Sequence, residues 1–163
     1  MVARMKPGRG QDRLIKALAR LEAPVRVSFR GGGETLEYMR SLARTLGVHD
    51  LCRFFSGRVE DYPAFLRRHH VLVYLALGSE ATARTVLEAM ASGLVVLASP
   101  QGPIPFYLGG WNPPLEGDLG EALAFYAWSP AGRKKVGCLN ARRAWRFSLS
   151  RRVERFLGAL EDA

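Results

Sequence analysis

"VLVYLALGSEATARTVLEAMASGLVVLAS", residues 71–99, decides the fold. An apolar run from Val71 to Leu77, a short polar turn, an apolar helical pattern and a second run from Leu94 to Ser99 follow one another without a break. Runs of that length, apolar at almost every position, suit strands buried on both faces of a parallel sheet. A right-handed crossover between them places the turn and its Glu80 at the carboxyl edge of the sheet. Glu88 lies about two turns into the helix; at roughly 100° per residue it shares a face with Arg84, Thr85, Ala91 and Ser92, opposite Ala83, Val86, Leu87 and Met90. Periodicity by itself therefore assigns Glu88 to solvent, paired with Arg84 for about 0.2–0.5 kcal/mol. Glu80 would merely favour the helix dipole.

The same alternation extends outward in both directions. "VRVSF" (25–29) and "LCRFF" (51–55) read as further strands, and the opening "MVARM" as a truncated one. Leu14, Leu18 and Leu21 repeat at helical spacing, as do Leu36, Met39, Ala43 and Leu46, with Gly47 ending the second helix. A shorter helix fits "DYPAFLRRHH" and another the stretch from Thr82 to Ser92. The Gly/Pro-rich "PQGPIPFYLGGWNPPLEGD" is expected to be mostly irregular. "LGEALAFYAW", "AGRKKVGCLNARRAW" and "SRRVERFLGALED" read as closing helices, the last with an apolar stripe of Val153, Phe156, Leu157 and Leu160. The fold class is α/β, a Rossmann-like parallel sheet flanked by helices. Neither an internal repeat nor an interdomain linker interrupts it, so residues 1–163 form a single domain.

With 48% hydrophobic and 24% charged residues the chain has a globular composition, which excludes disorder. No apolar run reaches the roughly 18 residues of a membrane span, and "MVARMKPGRG" lacks the apolar core of a signal peptide, so a cytoplasmic location is expected. Cys52 and Cys138 have no metal-ligand spacing and are expected to be reduced packing residues. His49, His69 and His70 suggest no metal site. The formal charge of +9 is the compositional outlier. Much of it falls in "RKKVGCLNARRAWRFSLSRRVERF", where Arg133, Lys134, Lys135, Arg142, Arg143, Arg146, Arg151, Arg152 and Arg155 face almost no acid. Two solvated helix faces would account for that run; a surface for polyanions is the alternative.

Ligands of such sheets sit where strand-end loops run into helix N-termini with free N–H groups. Three loops qualify. "RMKPGRGQD" offers Arg4 and Arg9 around Gly8 and Gly10, without the lysine and hydroxyl of a P-loop. "RGGGET" places Gly31, Gly32 and Gly33 after a strand, where a backbone without side chains lets a ligand approach. A dinucleotide fingerprint is not completed: its third glycine would fall at Leu36, and no acid closes the next strand. The third loop is the one carrying Glu80.

Together and in this order, the loops resemble the C-terminal domain of GT-B glycosyltransferases, particularly the large retaining family called family 4. "ARMKPGRGQDRLIKAL" is similar to that family's opening strand and "GR…KG…LI.A" element, "VSFRGGGETLEYMRSLARTLGV" to its "G.G…L..LA..LGL" element, and "FFSGRVEDYPAFLRRHHVLVY" to "F.G.V…L…ADV.V". "SEATARTVLEAMASGLVVLAS" resembles its E-x7-E segment with "LEAMA.G.PVVA", the most specific of the matches, and "RRAWRFSLSRRVERFLGAL" its closing "AR…FSW….V". The resemblance covers nearly the whole chain.

It implies transfer of a sugar from a nucleotide-diphosphate donor to an acceptor hydroxyl with retention, and with no required metal or cofactor. Arg4 and Arg9 match the basic pair on the diphosphate, with arginine in place of lysine at Arg9. Gly31 and Gly33 match the glycine loop near the nucleotide, and Arg58 and Val59 the segment along the base. Glu80 matches the glutamate on the donor sugar and Glu88 the one holding ribose hydroxyls. The helix N-terminus at Thr82, Ala83 and Arg84 adds to donor binding. The implied partners are a UDP-, GDP- or ADP-linked sugar and an N-terminal acceptor domain that this chain is expected to lack, supplied in cis or in trans.

The chain departs from the family in two places. Ala81, Thr82 and Ala83 stand where the family has "GFG", and Gly102-Pro103-Ile104-Pro105-Phe106 stands where it has "GG.PE", putting Phe106 in place of an acid. Two other functions compete. One is a non-catalytic basic module on nucleic acid or on anionic membrane through Arg142, Arg143, Arg146, Arg151 and Arg152; the other is a GT-B domain of the sugar-nucleotide epimerase kind. A lack of interleaved surface aromatics disfavours nucleic acid, while peripheral contact with the inner face of a membrane stays compatible with the transferase.

Overall fold

The computed structural model describes residues 1–57, 59–75, 83–151 and 153–154. Four parallel strands, β1 (Val27–Arg30), β2 (Cys52–Phe55), β3 (Val71–Tyr74) and β4 (Val95–Ala98), alternate with α1 (Gln11–Leu18), α2 (Leu36–Thr45), α3 (Tyr62–Arg67) and α4 (Ala83–Ala91). Helices α5 (Ile104–Tyr107), α6 (Leu119–Trp128) and α7 (Pro130–Ala144) follow. β1 pairs with β2, Val27 opposite Cys52, and β3 with β4, Val71 opposite Val95. Among the described residues the expected single sheet is thus two parallel pairs.

The opening residues are extended rather than a full strand. Val2 bridges Arg30, while Ala3 N donates to Arg30 O at 3.0 Å and Met5 N to Gly32 O at 2.9 Å.

Apolar side chains divide by strand parity, as a doubly covered sheet requires. Val73, Leu75, Val95 and Leu97 pack with Leu14, Ile15, Phe29, Met39 and Leu123 into one core. Leu72, Tyr74, Val96 and Ala98 pack with Val86, Met90, Ile104 and Ala144 into the other. Side-chain caps fix three helix starts: Asp61 accepts from Ala64 N (2.8 Å), Asp118 from Glu121 N (2.9 Å) and Ser129 from Gly132 N (3.2 Å).

Helix α7 crosses the end of α4 so closely that a Cβ on Gly137 would stand 2.0 Å from Gly93 O. Buried amides bind it further. Asn140 Nδ2 donates to Leu94 O (2.9 Å) and to Asn112 Oδ1 (2.6 Å). Asn112 in turn accepts from Val96 N (2.9 Å) and donates to Val96 O (2.6 Å), and Leu115 N donates to Ala98 O (2.7 Å).

The Gly/Pro-rich stretch is mostly irregular, as expected, apart from the short helix α5, which is buried through Ile104 and starts where Pro103 and Pro105 fit a first helical turn. Two expectations need correction. Cys138 is exposed on α7 rather than packed inside, while Cys52 is buried as expected. The basic segment is only partly solvated. Arg133 Nη1 donates to Tyr126 O and Ala127 O, and Arg143 Nε and Nη2 donate to Tyr107 O and Phe106 O, so these two guanidinium groups tie α7 to α6 and α5. Phe156, Leu157 and Leu160 of the expected last stripe lie outside the described residues, and Val153 is exposed.

Candidate functional site

A cleft of about 720 Å³ opens where the chain's start, the end of β1, the start of α3 and the first turns of α4 meet. Val2, Ala3 and Arg4 form one wall, Arg30 to Gly33 a second, Val59 and Tyr62 a third, and Arg84, Thr85 and Glu88 a fourth.

Local hydrogen bonds hold the walls. Gln11, buried at the start of α1, donates through Nε2 to Arg4 O at 3.0 Å, and Gly31 N donates to Phe55 O at 2.9 Å. Gly31 and Gly33 have φ of 139° and 150°, and a Cβ on either would lie 2.2 Å from the carbonyl oxygen of Ala3 or Met5. Their lack of side chains thus serves, first, the close approach of the chain's own opening segment, and the open path to a ligand is secondary.

On α4, Arg84 Nε sits 2.8 Å from Glu88 Oε1, the contact that periodicity anticipates. The same glutamate borders the cleft, and its side chain is 30% exposed against 85% for Arg84. Across from it, burial and then the Glu88 charge push the Tyr62 phenol up to about 12, so it stays a neutral donor. Among the described lining residues, Arg4, Arg30 and Arg84 stand against the single carboxylate of Glu88, a net positive charge. Planar guanidinium forks match phosphate oxygens, and a lone carboxylate accepts from hydroxyls. The arrangement suits a ligand that is anionic at one end and hydroxylated at the other.

Of the residues singled out in the sequence, Arg4, Gly31, Gly33, Val59, Arg84 and Glu88 meet in this cleft. Ala83 is buried at the start of α4, and Arg9 is buried and partnered; neither lines the cleft. Arg58, Glu80 and Thr82 lie outside the described residues. Sequence reading missed Arg30 and Tyr62. Arg30 directly precedes the glycine triplet and could have been found there; Tyr62, as the first residue of a short helix, gave no periodic signal. Another hollow, of about 570 Å³ between α1 and α6, contains none of the predicted residues.

Residues 1–112 match the model of the family described as glycosyl transferases group 1. Over 117 residues the chain is 32% identical to the GDP-mannose-dependent alpha-(1-6)-phosphatidylinositol monomannoside mannosyltransferase of Mycobacterium tuberculosis, covering 64% of this chain and 30% of the relative. The enzyme of the same name from Mycolicibacterium smegmatis is 32% identical over 118 residues. The chain thus spans about 30% of the length of these relatives.

Among solved structures, the catalytic domain of cholesterol-alpha-glucosyltransferase from Helicobacter pylori superposes with a TM-score of 0.78 at 24% identity, covering 91% of this chain and 96% of that one. Anabaena Alr3699/HepE in complex with UDP superposes with a TM-score of 0.82 at 19% identity, covering 99% and 48%. At these identities the likeness establishes the fold, the C-terminal half of GT-B. With the family model matched over more than half its length, the chain belongs to the glycosyl transferases group 1 family.

Proposed function

We propose that the cleft binds the nucleotide-diphosphate part of a sugar donor, and that this chain is the donor half of a retaining glycosyltransferase acting on an acceptor hydroxyl. Convergence supports the reading: Arg4, Gly31, Gly33, Val59, Arg84 and Glu88 come from four separate segments and share one cleft of fitting charge. In it Glu88 accepts from ribose hydroxyls and Val59 lies along the base; for Arg58 and Glu80, outside the described residues, the family pattern alone assigns contacts to the base and the donor sugar. Arg4, joined by Arg30 and Arg84, faces the diphosphate, with Arg9 and the α4 N-terminus adding to the positive field.

Chemistry follows from charge. As the bond from the anomeric carbon to the diphosphate breaks, negative charge grows on the leaving oxygens, and fixed cations stabilise it more than the ground state. That role needs no metal. The acceptor and the rest of the cleft belong to a second domain, in cis or in trans. The M. tuberculosis relative is named for GDP-mannose and the Anabaena structure holds UDP, so both bases belong in the test.

A thermal-shift panel of UDP, GDP, ADP and their sugars tests the reading. One base is expected to stabilise the chain, and Glu88→Ala to remove that stabilisation. No shift with any of them, or an unchanged shift in the variant, would overturn it.

A further inference from the structure

Helix α7 holds no acidic residue between Pro130 and Ala144. Val136, Gly137, Asn140 and Ala144 point inward, and Lys134, Lys135 and Arg142 are exposed. At roughly 100° per residue, Lys135 and Arg142 fall within about 20° of each other on the outer side, and Lys134 lies about 20° from the direction of Trp145. Trp145 is 60% exposed just past one end of the helix. At the other end α6 presents Phe125, 60% exposed, and Trp128, 68% exposed. The 15 residues of α7 set the two ends about 22 Å apart.

Surface aromatics therefore stand at the two ends of α7 without being interleaved along it. The junction of α6 and α7 is firmly held: the Arg133 guanidinium is bonded to Tyr126 O and Ala127 O, and Ser129 Oγ accepts from Gly132 N. An ordinary solvated helix puts polar residues at such positions. Indole and phenyl rings in water at both ends of a cationic ridge instead fit a boundary between headgroups and hydrocarbon. There the rings bury, and lysine and arginine stems reach back to anionic headgroups.

We propose that the outer face of α7, bounded by Trp128 and Trp145, docks on an anionic lipid bilayer with the helix axis parallel to the surface. Among the described residues no helix is long and apolar enough to cross a membrane, so the contact is with the surface alone. A second copy of the chain fits poorly, because its cations would meet themselves. Nucleic acid fits poorly too: base stacking needs aromatics at successive steps, and here they stand at opposite ends of a helix. The docking face does not rest on the nucleotide-sugar reading, and its cations line no part of the cleft, although Trp145 shares a hollow with Glu88.

The 163-residue chain is mixed with vesicles of phosphatidylcholine, alone or with about one third anionic phospholipid, and the bound fraction is read by sedimentation with tryptophan emission in parallel. Binding is expected to the anionic vesicles only, weakened by about 0.5 M salt, with a blue shift of emission. Lys134→Glu with Lys135→Glu and Arg142→Glu should cut binding about tenfold or more, and Trp128→Ala with Trp145→Ala should cut it at unchanged charge and abolish most of the blue shift. Lys134→Gln with Lys135→Gln, checked by thermal unfolding, covers the case that the triple variant misfolds. Equal binding to neutral vesicles, variants that bind like the parent, tighter binding to RNA than to vesicles, or self-association through this face would each overturn the proposal. Nucleotide stabilisation of the chain is expected to stay unchanged in the Lys134, Lys135 and Arg142 variants, which line no part of the cleft, and this separates a failure here from a failure of donor binding.

Discussion

Arg84 and Glu88, one turn apart on α4, are joined Nε to Oε1 at 2.8 Å, and both border the cleft. A ligand hydroxyl that reaches Glu88 therefore meets a carboxylate already oriented by a guanidinium. Pairing on the helix surface and ligand binding are compatible uses of one residue.

This compatibility separates binding from stability. With Arg84 85% exposed, the ion pair is screened and contributes at most about 0.2–1 kcal/mol. Glu88→Gln should leave the thermal midpoint nearly unchanged and weaken nucleotide binding about tenfold or more, measured by calorimetry. A variant that loses stability but not affinity would return Glu88 to the solvated face.

The glycine loop makes a different prediction. Because a Cβ at Gly31 or Gly33 would overlap the carbonyl oxygens of Ala3 and Met5 at 2.2 Å, alanine at either should destabilise by about 2–5 kcal/mol in urea unfolding. Gly8→Ala is the control. Its φ is also positive at 76°, but a Cβ there meets nothing within 4 Å, so only about 1 kcal/mol is expected.

Asn140 joins α7 to β4 and to Asn112 from inside the protein. Asn140→Leu removes the donor to Leu94 O and the acceptor of the Trp111 Nε1 bond at 3.1 Å, and should cost about 2–4 kcal/mol. Intrinsic Trp111 emission, read in a background with Trp128 and Trp145 replaced by Phe, should change in the same variant.

The thiols should behave unequally. Exposed Cys138 should react with a disulfide reagent at pH 8 at least about a hundredfold faster than Cys52, whose thiol burial pushes up from 9.0 to about 11. Tyr62 moves the same way, from 10.0 to about 12. In both cases the unfolded chain loses its proton first, so between about pH 9 and 12 it holds fewer protons than the folded chain, and stability falls as pH rises. Cys52→Ala should flatten the lower part of that decline and Tyr62→Phe the upper, in urea unfolding measured from pH 8 upward.

The parts of the fold legible in the sequence were those written in periodicity. The almost uninterrupted apolar runs at Val71 and Leu94 announced strands covered on both faces, and the described parts of both are buried accordingly. What periodicity could not tell is which polar residues face inward. Arg133 and Arg143 read as solvent because charge is usually solvated, yet they donate to the open carbonyls of α6 and α5. Arg30 and Tyr62 join the cleft only because the end of β1 and the start of α3 lie beside one another, a tertiary fact with no local signature. Glu88 could be placed on its helix face by counting, but its second surroundings came from the order of the loops.

The amides on β4 have a consequence beyond holding α7. Leu94 O, Val96 N, Val96 O and Ala98 O, the groups with which a strand would recruit another, are each taken by Asn140, Asn112 or Leu115. The sheet is thereby terminated from within. Another chain cannot extend it at β4 as a template, so association at this side of the molecule must proceed through helix faces, and the route to cross-strand aggregation is closed there.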